Sequence, residues 1–313
     1  MLSVILPCYN ENDNIKMAYN TLKEILSKES IPFELIFIND GSRDHTWDEI
    51  CEIVEEQLRE EVEKNRIQGI SFSRNFGKEG AILAGLAYAS GDACVVMDCD
   101  LQHPPETVVE MYRLWQQGYE VVEGVKRSRG DEGTVYKLGA NFFNKVMSKI
   151  MGLNMEGASD FKLLDSKVVK SILSLPERNV FFRGLSSWVG FRKTEVLFDV
   201  REREIGESKW SKYALIKYAL KNIAAFSTVP LQFTTAIGVV MFVITVIVGI
   251  QTLVHYFMGR SVEGFTTVIL LLLFIGSAVM ISLGIIGYYI AKIYEETKHR
   301  PVYIVSEIIS SRE

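Results

Sequence analysis

Short apolar runs alternate with amphipathic helical patterns through the first 125 residues of the chain. The runs predict strands, and the stretches between them, in which apolar residues recur every three or four positions, predict helices. Strands that alternate with helices are typical of a mostly parallel α/β sheet covered on both faces. The predicted strands are 4–6, 33–38, 67–72, 93–97 and 120–125, and the predicted helices are 14–27, 46–64, 78–89 and 105–117.

The pattern is less decisive between residues 126 and 200. Residues 138–151 have helical spacing, whereas neither 161–172 nor 194–200 favours one kind of secondary structure. We expect one α/β domain over residues 1–208, with a Rossmann-like sheet. In such sheets ligands bind beyond the carboxyl ends of the parallel strands. The polar clusters that follow the first, second and fourth predicted strands are therefore the candidate site.

The last third of the chain contains two long segments without Lys, Arg, Asp or Glu, which run over 222–259 and 264–291. Each segment exceeds the ~20 apolar residues that a helix needs to cross a bilayer. We therefore predict two transmembrane helices, near 229–257 and 266–291, that form a hairpin within 228–293.

Basic residues flank the predicted hairpin, whereas the loop between the spans carries one Arg and one Glu. Because Lys and Arg favour the cytoplasmic side, we expect both termini in the cytoplasm and residues 294–313 to form a cytoplasmic tail. The sequence does not begin with a basic region followed by a long apolar stretch, so no signal peptide is predicted. The flanking basic residues are Lys209, Lys212, Lys217, Lys221, Lys292, Lys298 and Arg300.

Residues 209–227 join the two parts of the chain and have an amphipathic pattern. Several apolar residues share one helical face, lysines surround that face, and Trp210 and Tyr213 lie near the start. This pattern predicts a helix that lies in the membrane interface. A plain juxtamembrane linker is the alternative.

Composition excludes some classes of partner and cofactor. The net charge of −5 lacks the basic footprint of a nucleic-acid-binding protein. The four cysteines form no Cys-x-x-Cys pair, and no Cys/His cluster has metal-site spacing. We therefore expect reduced thiols in a reducing compartment and no histidine-based metal site.

Two aspartates, Asp98 and Asp100, follow the fully apolar fourth predicted strand. Because residues i and i+2 of an extended chain point to the same side, both carboxylates could share one cation while Cys99 faces away. Hard oxygen ligands suit Mg²⁺ or Mn²⁺, and Gln102 could add a ligand directly or through water. An isolated Asp-x-Asp is also common in solvated turns, but the position at a strand end supports a metal site.

Two more polar segments, Pro7–Glu11 and Asn39–Asp44, follow the first and second predicted strands. A carboxylate in such a position can accept hydrogen bonds from a nucleobase or ribose. For each segment taken alone, a turn in which Asp or Asn caps a helix is the favoured explanation. Three polar segments at one edge of the sheet favour a ligand site over three unrelated turns.

Together these segments resemble the family 2 glycosyltransferases, which have a GT-A fold. The paired C-terminal spans and residues 201–209 are similar to the polyprenyl-phosphate glycosyltransferases, a group that includes bactoprenol glucosyltransferases and dolichyl-phosphate mannose synthase. The resemblance covers nearly the whole chain. It is carried by Pro7–Glu11, Asp40–Asp44, Arg74–Lys78, Asp98–Gln102 and Arg201–Lys209.

The resemblance implies a nucleotide site at the ends of the first two strands and a metal site after the fourth. The metal ligands would be Asp98, Asp100 and Gln102, with Mg²⁺ or Mn²⁺ on the donor diphosphate. Arg203 and Lys209, in the loop before the spans, would close over that diphosphate. The residues that would hold the nucleotide are Pro7, Tyr9, Asn10, Glu11 and Asp40.

The resemblance also implies a site for the acceptor phosphate. Arg127 matches a family arginine that contacts this phosphate, Ser208 lies in the loop before the spans, and Lys137 stands where the family more often has Arg. Asp160 lies in 158–165, which is similar to the family's Gly-Asp-Phe-Arg-Leu-Leu-Asp, and would orient the sugar or the acceptor. A structural helix cap is its alternative role.

The implied reaction transfers a sugar from a nucleotide-sugar to polyprenyl (undecaprenyl) phosphate at the membrane, with inversion at the anomeric carbon. A cation held by Asp98 and Asp100 would stabilise the charge that grows on the diphosphate. The acceptor phosphate is mostly dianionic near neutral pH, so it needs no strong general base. The resemblance favours UDP-glucose as donor, with UDP-N-acetylglucosamine as the second choice.

Two other functions fit part of the pattern. Processive polysaccharide synthases of the same superfamily resemble one another in a Gln-x-x-Arg-Trp motif and several spans, and this chain has neither. A non-catalytic nucleotide-sugar-binding membrane protein would not need the intact pair of Asp98 and Asp100. The two spans could pack with those of other protomers, although no interface signature in the sequence decides whether the protein is a homo-oligomer.

Overall fold

The computed structural model describes residues 1–59, 65–127, 159–177, 181–199, 229–258 and 264–311. The chain divides into two compact units. One comprises Met1–Ser211 together with Pro301–Glu313, and the other comprises Lys212–Arg300. The predicted interfacial helix over 209–227 and the predicted helix over 138–151 lie outside the described residues.

The first unit is built on a sheet of eight strands. The strands are β1 Leu2–Cys8, β2 Phe33–Asn39, β3 Arg66–Phe72, β4 Ala93–Val96, β5 Val121–Lys126, β6 Lys162–Asp165, β7 Lys193–Phe198 and β8 Val305–Ser310. Their order is β7-β5-β6-β4-β1-β2-β3-β8. Six strands take part in parallel pairs: β5 pairs with β7, and β4, β1, β2 and β3 form a continuous parallel series. The other two strands, β6 and β8, pair only antiparallel. The predicted, mostly parallel α/β fold is confirmed.

Helices cover both faces of this sheet. They are α1 Asn12–Lys28, α2 Thr46–Arg59, α3 Lys78–Tyr88, α4 Pro105–Gln116, α5 Ser166–Leu173 and α6 Phe182–Trp188. On one face α1, α2 and α4 pack against alternate residues of β1, such as Val4 and Leu6. On the other face α3, α5 and α6 share a core with Ile5. The central strands are thus buried on both sides, which explains why they appear in the sequence as continuous apolar runs.

The undecided segment 161–172 contains a strand and a helix with no loop between them. β6 ends at Asp165, and α5 begins at Ser166. The carboxylate of Asp165 accepts a hydrogen bond from the backbone N–H of Lys167 at 2.9 Å and so caps the helix. A change of period within a few residues leaves neither pattern long enough to be recognised.

The C-terminal segment is a strand of the sheet, so the description of 294–313 as a tail is wrong for its central residues. β8 pairs antiparallel with β3 and forms the edge of the sheet. Just before β8, the ring of Tyr303 stacks on Phe72 at 5.1 Å between centroids. Trp47 Nε1 also donates to Glu307 Oε2 at 3.1 Å. The alternating polar residues of a short edge strand give too weak a hydropathy signal to predict it.

The second unit contains two long apolar helices, α7 Val229–Phe257 and α8 Phe265–Thr297. Segments Leu231–Thr252 and Phe274–Thr297 have mean hydropathies of 2.5 and 1.9, and both are long and apolar enough to cross a membrane. The bounds of α7 equal the predicted 229–257, whereas α8 extends six residues beyond the predicted end at 291. These two helices are therefore candidate membrane spans.

We expect Tyr303→Ala to lower the free energy of unfolding by about 1–2 kcal/mol, because the substitution removes the ring that stacks on Phe72. Chemical unfolding of detergent-purified protein, followed by tryptophan fluorescence, measures the change. Ile308→Ala is the matched control, because Ile308 is 44% exposed and should change the stability by less than about 0.5 kcal/mol. Equal effects of the two substitutions would contradict the role of Tyr303.

Candidate functional site

The site lies where β1, β2 and β4 end, because these parallel strands all have their carboxyl ends at one edge of the sheet. β6 runs the other way, so its first residue lies at this same edge. Its pairing with β4 sets Val96 opposite Lys162; Asp98 lies two residues after Val96, Asp160 lies two residues before Lys162, and one lysine contacts both carboxylates. Two carboxylates far apart in the sequence therefore meet across neighbouring strands.

Asp98 and Asp100 lie beyond β4, which ends at Val96, rather than within the extended strand. The expected alternation is nevertheless present. Asp98 has a 35% exposed side chain, whereas Cys99 is buried with its Sγ 3.0 Å from that of Cys8. Asp100 Oδ1 accepts a hydrogen bond from the backbone N–H of Gln102 at 3.1 Å. This turn directs two carboxylates outward and anchors the residue between them on β1.

The backbone of this turn is strained. Leu101, between Asp100 and Gln102, has a φ of +53°, in the left-handed region that a branched side chain seldom adopts. Such conformations cost of order 1–3 kcal/mol and persist where the surrounding structure and function require them. The strain supports a functional role for the turn.

Lys78, the first residue of α3, connects the two facing carboxylates. Its Nζ lies 2.6 Å from Asp98 Oδ1 and 3.2 Å from Asp160 Oδ2. The nearby carboxylates raise the pKa of Lys78 above its usual value against the opposing effect of burial. The ammonium of Lys78 is therefore charged at any physiological pH.

Arg183, in the first turn of α6, holds Asp160 with two hydrogen bonds. Nε donates to Oδ1 at 2.7 Å, and a terminal guanidinium nitrogen donates to Oδ2 at 2.9 Å. Burial opposes ionisation of Asp160, but the bonds from Arg183 and the charge of Lys78 hold its pKa well below the usual range. Asp160 thus binds two cationic side chains, and it caps none of the helices in the described part of the chain.

Glu79 and His103 complete the surroundings of this cluster. Burial raises the pKa of Glu79 to about 7, although its Oε2 accepts a hydrogen bond from the backbone N–H of Phe182 at 2.9 Å. Burial also lowers the pKa of His103, whose ring stacks on Phe161 at 4.5 Å between centroids. A neutral imidazole agrees with the weak hydrogen bond, at 3.5 Å, that its Nδ1 accepts from the backbone N–H of Asp98.

The loops after β1 and β2 are bonded to each other. Asn10 has a φ of +55°, its backbone N–H donates to Ser42 Oγ at 3.0 Å, and its Oδ1 accepts from the N–H of Arg43 at 2.9 Å. Glu11 accepts a hydrogen bond at 2.6 Å from Asn14 Nδ2. Tyr9, between the half-buried Pro7 and Asn10, leaves 39% of its surface exposed. Tyr9, Asn10 and Glu11 therefore form one hydrogen-bonded loop beside the Asp98 turn, and Pro7 lies near the end of β1 before it.

Asp40 has a structural role in the described residues. It is 3% exposed, and its two oxygens accept hydrogen bonds from the backbone N–H groups of Phe76 at 2.6 Å and Gly77 at 2.9 Å. Burial raises its pKa despite these bonds. Gly41 follows at a φ of +63°, where an added Cβ would lie 2.6 Å from Asn75 N. Asp40 thus binds the backbone of the turn before α3, and a nucleotide contact stays a prediction.

The other predicted residues are less closely connected with this cluster. Arg127 follows β5, which β6 separates from β4 in the sheet. Its side chain is 60% exposed and donates to Asp199 Oδ2 at 3.2 Å. The remaining predicted residues, Lys137, Arg203, Ser208 and Lys209, lie outside the described part of the chain.

Sequence reasoning assigned no role to Lys78, Glu79 or Arg183. Lys78 ends the segment Arg74–Lys78 that carries part of the family resemblance, which was the one available signal. Arg183 lies 23 residues beyond Asp160, in a region without a clear secondary-structure pattern. A role for the charges of Lys78 and Arg183 can be assigned only when the pairing of β6 shows that Asp160 lies beside them.

A buried ion pair supports the cluster from within the sheet. Lys162 on β6 and Glu123 on β5 have side chains that are 1% and 5% exposed, and they lie 3.0 Å apart. Lys162 Nζ also donates to Ser186 Oγ at 2.8 Å, and Ser186 in turn donates to the carbonyl of Arg183 at 3.1 Å. Burial lowers the pKa of Lys162 despite its partner. The pair thereby joins two strands to the helix that carries Arg183.

We expect Lys162→Met to lower the free energy of unfolding by about 3–5 kcal/mol, because Glu123 then remains buried without a counter-charge. Chemical unfolding measures the change. The double variant Lys162→Met/Glu123→Leu should recover most of the stability, because it leaves no unpaired charge. A double variant less stable than Lys162→Met would contradict this explanation.

Known proteins are similar in sequence to this chain over nearly its whole length. Residues 3–172 match the family model described as glycosyl transferase family 2. An uncharacterized glycosyltransferase of Synechocystis sp. is 39% identical over 310 residues, which are 98% of this chain and 95% of that protein. A bactoprenol glucosyl transferase of Shigella phage SfV is 37% identical over 309 residues, 97% of each chain.

The similarity to solved structures is weaker than the similarity to these relatives. The glucosyl-3-phosphoglycerate synthase of Mycobacterium tuberculosis, in complex with Mn²⁺, UDP and glucosyl-3-phosphoglycerate, has a TM-score of 0.47 and 22% identity. The alignment covers 72% of this chain and 78% of that one. The match to the family model and the similarity to relatives over nearly the whole chain identify the family without this structural similarity. This chain belongs to glycosyl transferase family 2 and is a glycosyltransferase.

Proposed function

We propose that the enzyme transfers a sugar from a UDP-sugar to polyprenyl phosphate, with inversion, at a divalent cation held by Asp98 and Asp100. The observation that carries the proposal is the meeting of Asp98 with Asp160 at the carboxyl edge of the sheet. The acceptor class is supported by the full-length relative named bactoprenol glucosyl transferase. By the same relationship, glucose is the first choice of sugar and N-acetylglucosamine the second.

The donor set fits Mg²⁺ or Mn²⁺. Asp98 and Asp100 offer carboxylate oxygens outside a strand end, and Gln102 offers an amide oxygen. Among the residues that the structure describes, no group of three or more His, Cys, Asp or Glu side chains is placed to hold a metal ion, so protein carboxylates supply at most two ligands. A cation with few protein ligands keeps positions for water and for substrate phosphates, and when bound it neutralises charge on the leaving diphosphate.

Asp160 orients a substrate rather than accepting a proton. Because Arg183 and Lys78 hold its pKa low, Asp160 is a weak base that stays ionised. An ionised carboxylate can accept hydrogen bonds from sugar hydroxyls and fix the anomeric carbon for in-line attack. The acceptor phosphate is itself anionic, so direct displacement needs no stronger base.

The nucleotide lies, in this proposal, against the loops after β1 and β2. Tyr9 presents an exposed ring, Asn10 and Glu11 belong to the same loop, and Pro7 lies near the end of β1 just before it. The Asp40 carboxylate holds the turn before α3 and would reach a nucleotide only through its remaining lone pairs. This arrangement supports a nucleotide beside the Asp98 turn.

The acceptor phosphate is proposed to bind Arg127. Its exposed guanidinium has the fork geometry that binds phosphate through two hydrogen bonds. The bond to Asp199 must then be exchanged for the phosphate. Lys137 and Ser208 are proposed to assist at the acceptor, while Arg203 and Lys209 are proposed to close over the donor diphosphate.

The two apolar helices are proposed to anchor the enzyme in the cytoplasmic membrane. β8 follows α8 and belongs to the same sheet as β1, so the segments before α7 and after α8 must share one side of any membrane that the hairpin crosses. The basic residues on both flanks favour the cytoplasmic side. Association with other protomers through these helices is an additional proposal.

A radiolabelled transfer assay tests the reaction. Detergent-purified protein is incubated with undecaprenyl phosphate, Mg²⁺ or Mn²⁺, and a panel of UDP- and GDP-sugars. We expect label in the organic phase from a UDP-sugar, and Asp98→Asn should lower this transfer at least about 10³-fold by removing a cation ligand. The matched control is Asp48→Asn, an exposed carboxylate on α2. Transfer by Asp98→Asn at the control's rate would refute the cation site.

We expect Arg127→Ala to raise the apparent KM for undecaprenyl phosphate about tenfold or more while changing the KM for the nucleotide-sugar little. Initial rates at varied concentrations of each substrate separate the two effects. Arg59→Ala is the control, because Arg59 on α2 is a 79% exposed arginine. If both KM values rise together, Arg127 does not act on the acceptor.

A further inference from the structure

Lys78 occupies a position that a cation does not favour by itself. It is the first residue of α3, where the helix dipole favours negative charge. Its side chain is 41% exposed, so it could extend into water. Instead its ammonium lies within 3.2 Å of both Asp98 and Asp160. The two carboxylates therefore fix the position of this lysine.

The same contact obstructs the proposed cation site. Asp98 Oδ1 is 2.6 Å from Lys78 Nζ, a short charge-assisted hydrogen bond. A divalent cation on the same oxygen would lie a few ångströms from the ammonium, where like charges repel strongly in a partly desolvated site. Lys78 and the cation therefore compete for Asp98.

We propose that Lys78 is an exchangeable counter-ion: it neutralises Asp98 in the free enzyme and leaves this carboxylate when the cation and the donor diphosphate bind together. The inference rests on the proposed function, because it uses the cation site and the nucleotide-sugar. After the exchange, the ammonium contacts Asp160 and the oxygens of the diphosphate.

The balance of charge explains why cation and donor would bind together. Asp98, Asp100 and Asp160 carry three negative charges, and Lys78 and Arg183 carry two positive charges. A divalent cation alone would displace the Lys78 ammonium from Asp98 and leave it with Asp160, which Arg183 already neutralises. A diphosphate supplies the negative charge that the displaced ammonium needs.

The side chains of Arg183 and Lys78 suit a fixed counter-ion and an exchangeable one, respectively. Arg183 is bonded to both oxygens of Asp160 through a planar fork and so stays in place. Lys78 has a single ammonium on a flexible stem that can change partners with little distortion. The mobile member of the cluster is therefore the one that touches Asp98.

The test measures Mn²⁺ binding to the full-length, detergent-purified protein by electron paramagnetic resonance, with and without UDP. We expect UDP to tighten Mn²⁺ binding in the wild type. Lys78→Met should bind Mn²⁺ without UDP about tenfold more tightly than the wild type, and the enhancement by UDP should shrink by a similar factor. Sugar transfer should fall, because the ammonium no longer contacts the diphosphate.

Two variants complete the test. Lys16→Met removes a 52% exposed lysine of α1 and should leave Mn²⁺ binding unchanged. Lys78→Gln keeps a hydrogen-bond donor near Asp98 without the charge, and it is measured in the same way if Lys78→Met does not fold. Tighter Mn²⁺ binding together with slower transfer is a combination that a merely structural role would not produce.

The outcomes separate the exchange from the proposed function. If the wild type binds Mn²⁺ and folded Lys78→Met or Lys78→Gln binds it no more tightly without UDP, the exchange is refuted and the cation site stands. If the wild type binds no Mn²⁺ with or without UDP, the cation site is refuted together with the exchange.

Discussion

The antiparallel pairing of β6 with β4 is the constraint on which the site depends. A purely parallel sheet would place the residue before β6 at the opposite edge, far from the ends of β1, β2 and β4. The reversed direction brings Asp160 to the same edge as Asp98. The register between two strands is fixed by the burial of their side chains. The hydrophobic core therefore determines how close Asp98 and Asp160 lie to each other.

The buried pair of Lys162 and Glu123 extends this constraint to α6. Two fully buried charges contribute little net stability, since their desolvation offsets their attraction. Their value here is geometric, because Lys162 also binds Ser186 on the helix that carries Arg183. A polar chain thus runs from the sheet interior through Arg183 to Asp160 and Lys78. The end of the cluster at Arg183 is connected to the core, and the other end, at Lys78, contacts Asp98.

Sequence alone predicted those parts of the fold whose signal is local. The first four strands are apolar runs between polar turns, and α7 is a charge-free segment, so hydropathy located them within one or two residues. The same signal placed Asp98 and Asp100 directly after the fourth strand, although it predicted an extended chain where the structure has a turn. In contrast, β6 has four residues and continues directly into α5, while β8 is a half-polar edge strand. The positions of β6 and β8 in the sheet depend on pairing with strands that are distant in the sequence, and a local hydropathy pattern does not contain this information.

The candidate site shows the same limit at the level of side chains. The resemblance to family 2 enzymes identified the carboxylates, because they belong to short contiguous motifs. It did not identify the cations that neutralise them, because Lys78 and Arg183 reach Asp160 across the sheet from different helices. It also gave Asp40 a ligand role, while the structure shows both of its oxygens on backbone N–H groups.

The position of β8 has a consequence for the order in which the molecule is made. Ribosomes synthesise a chain from its N-terminus, so β3 is complete long before Val305–Ser310 exists. During that interval β3 has an open edge, the kind of surface on which other chains can pair. Both apolar helices must emerge first. Completion of the sheet therefore waits until both apolar helices have been synthesised, so the last strand of the enzyme's α/β domain forms only after them.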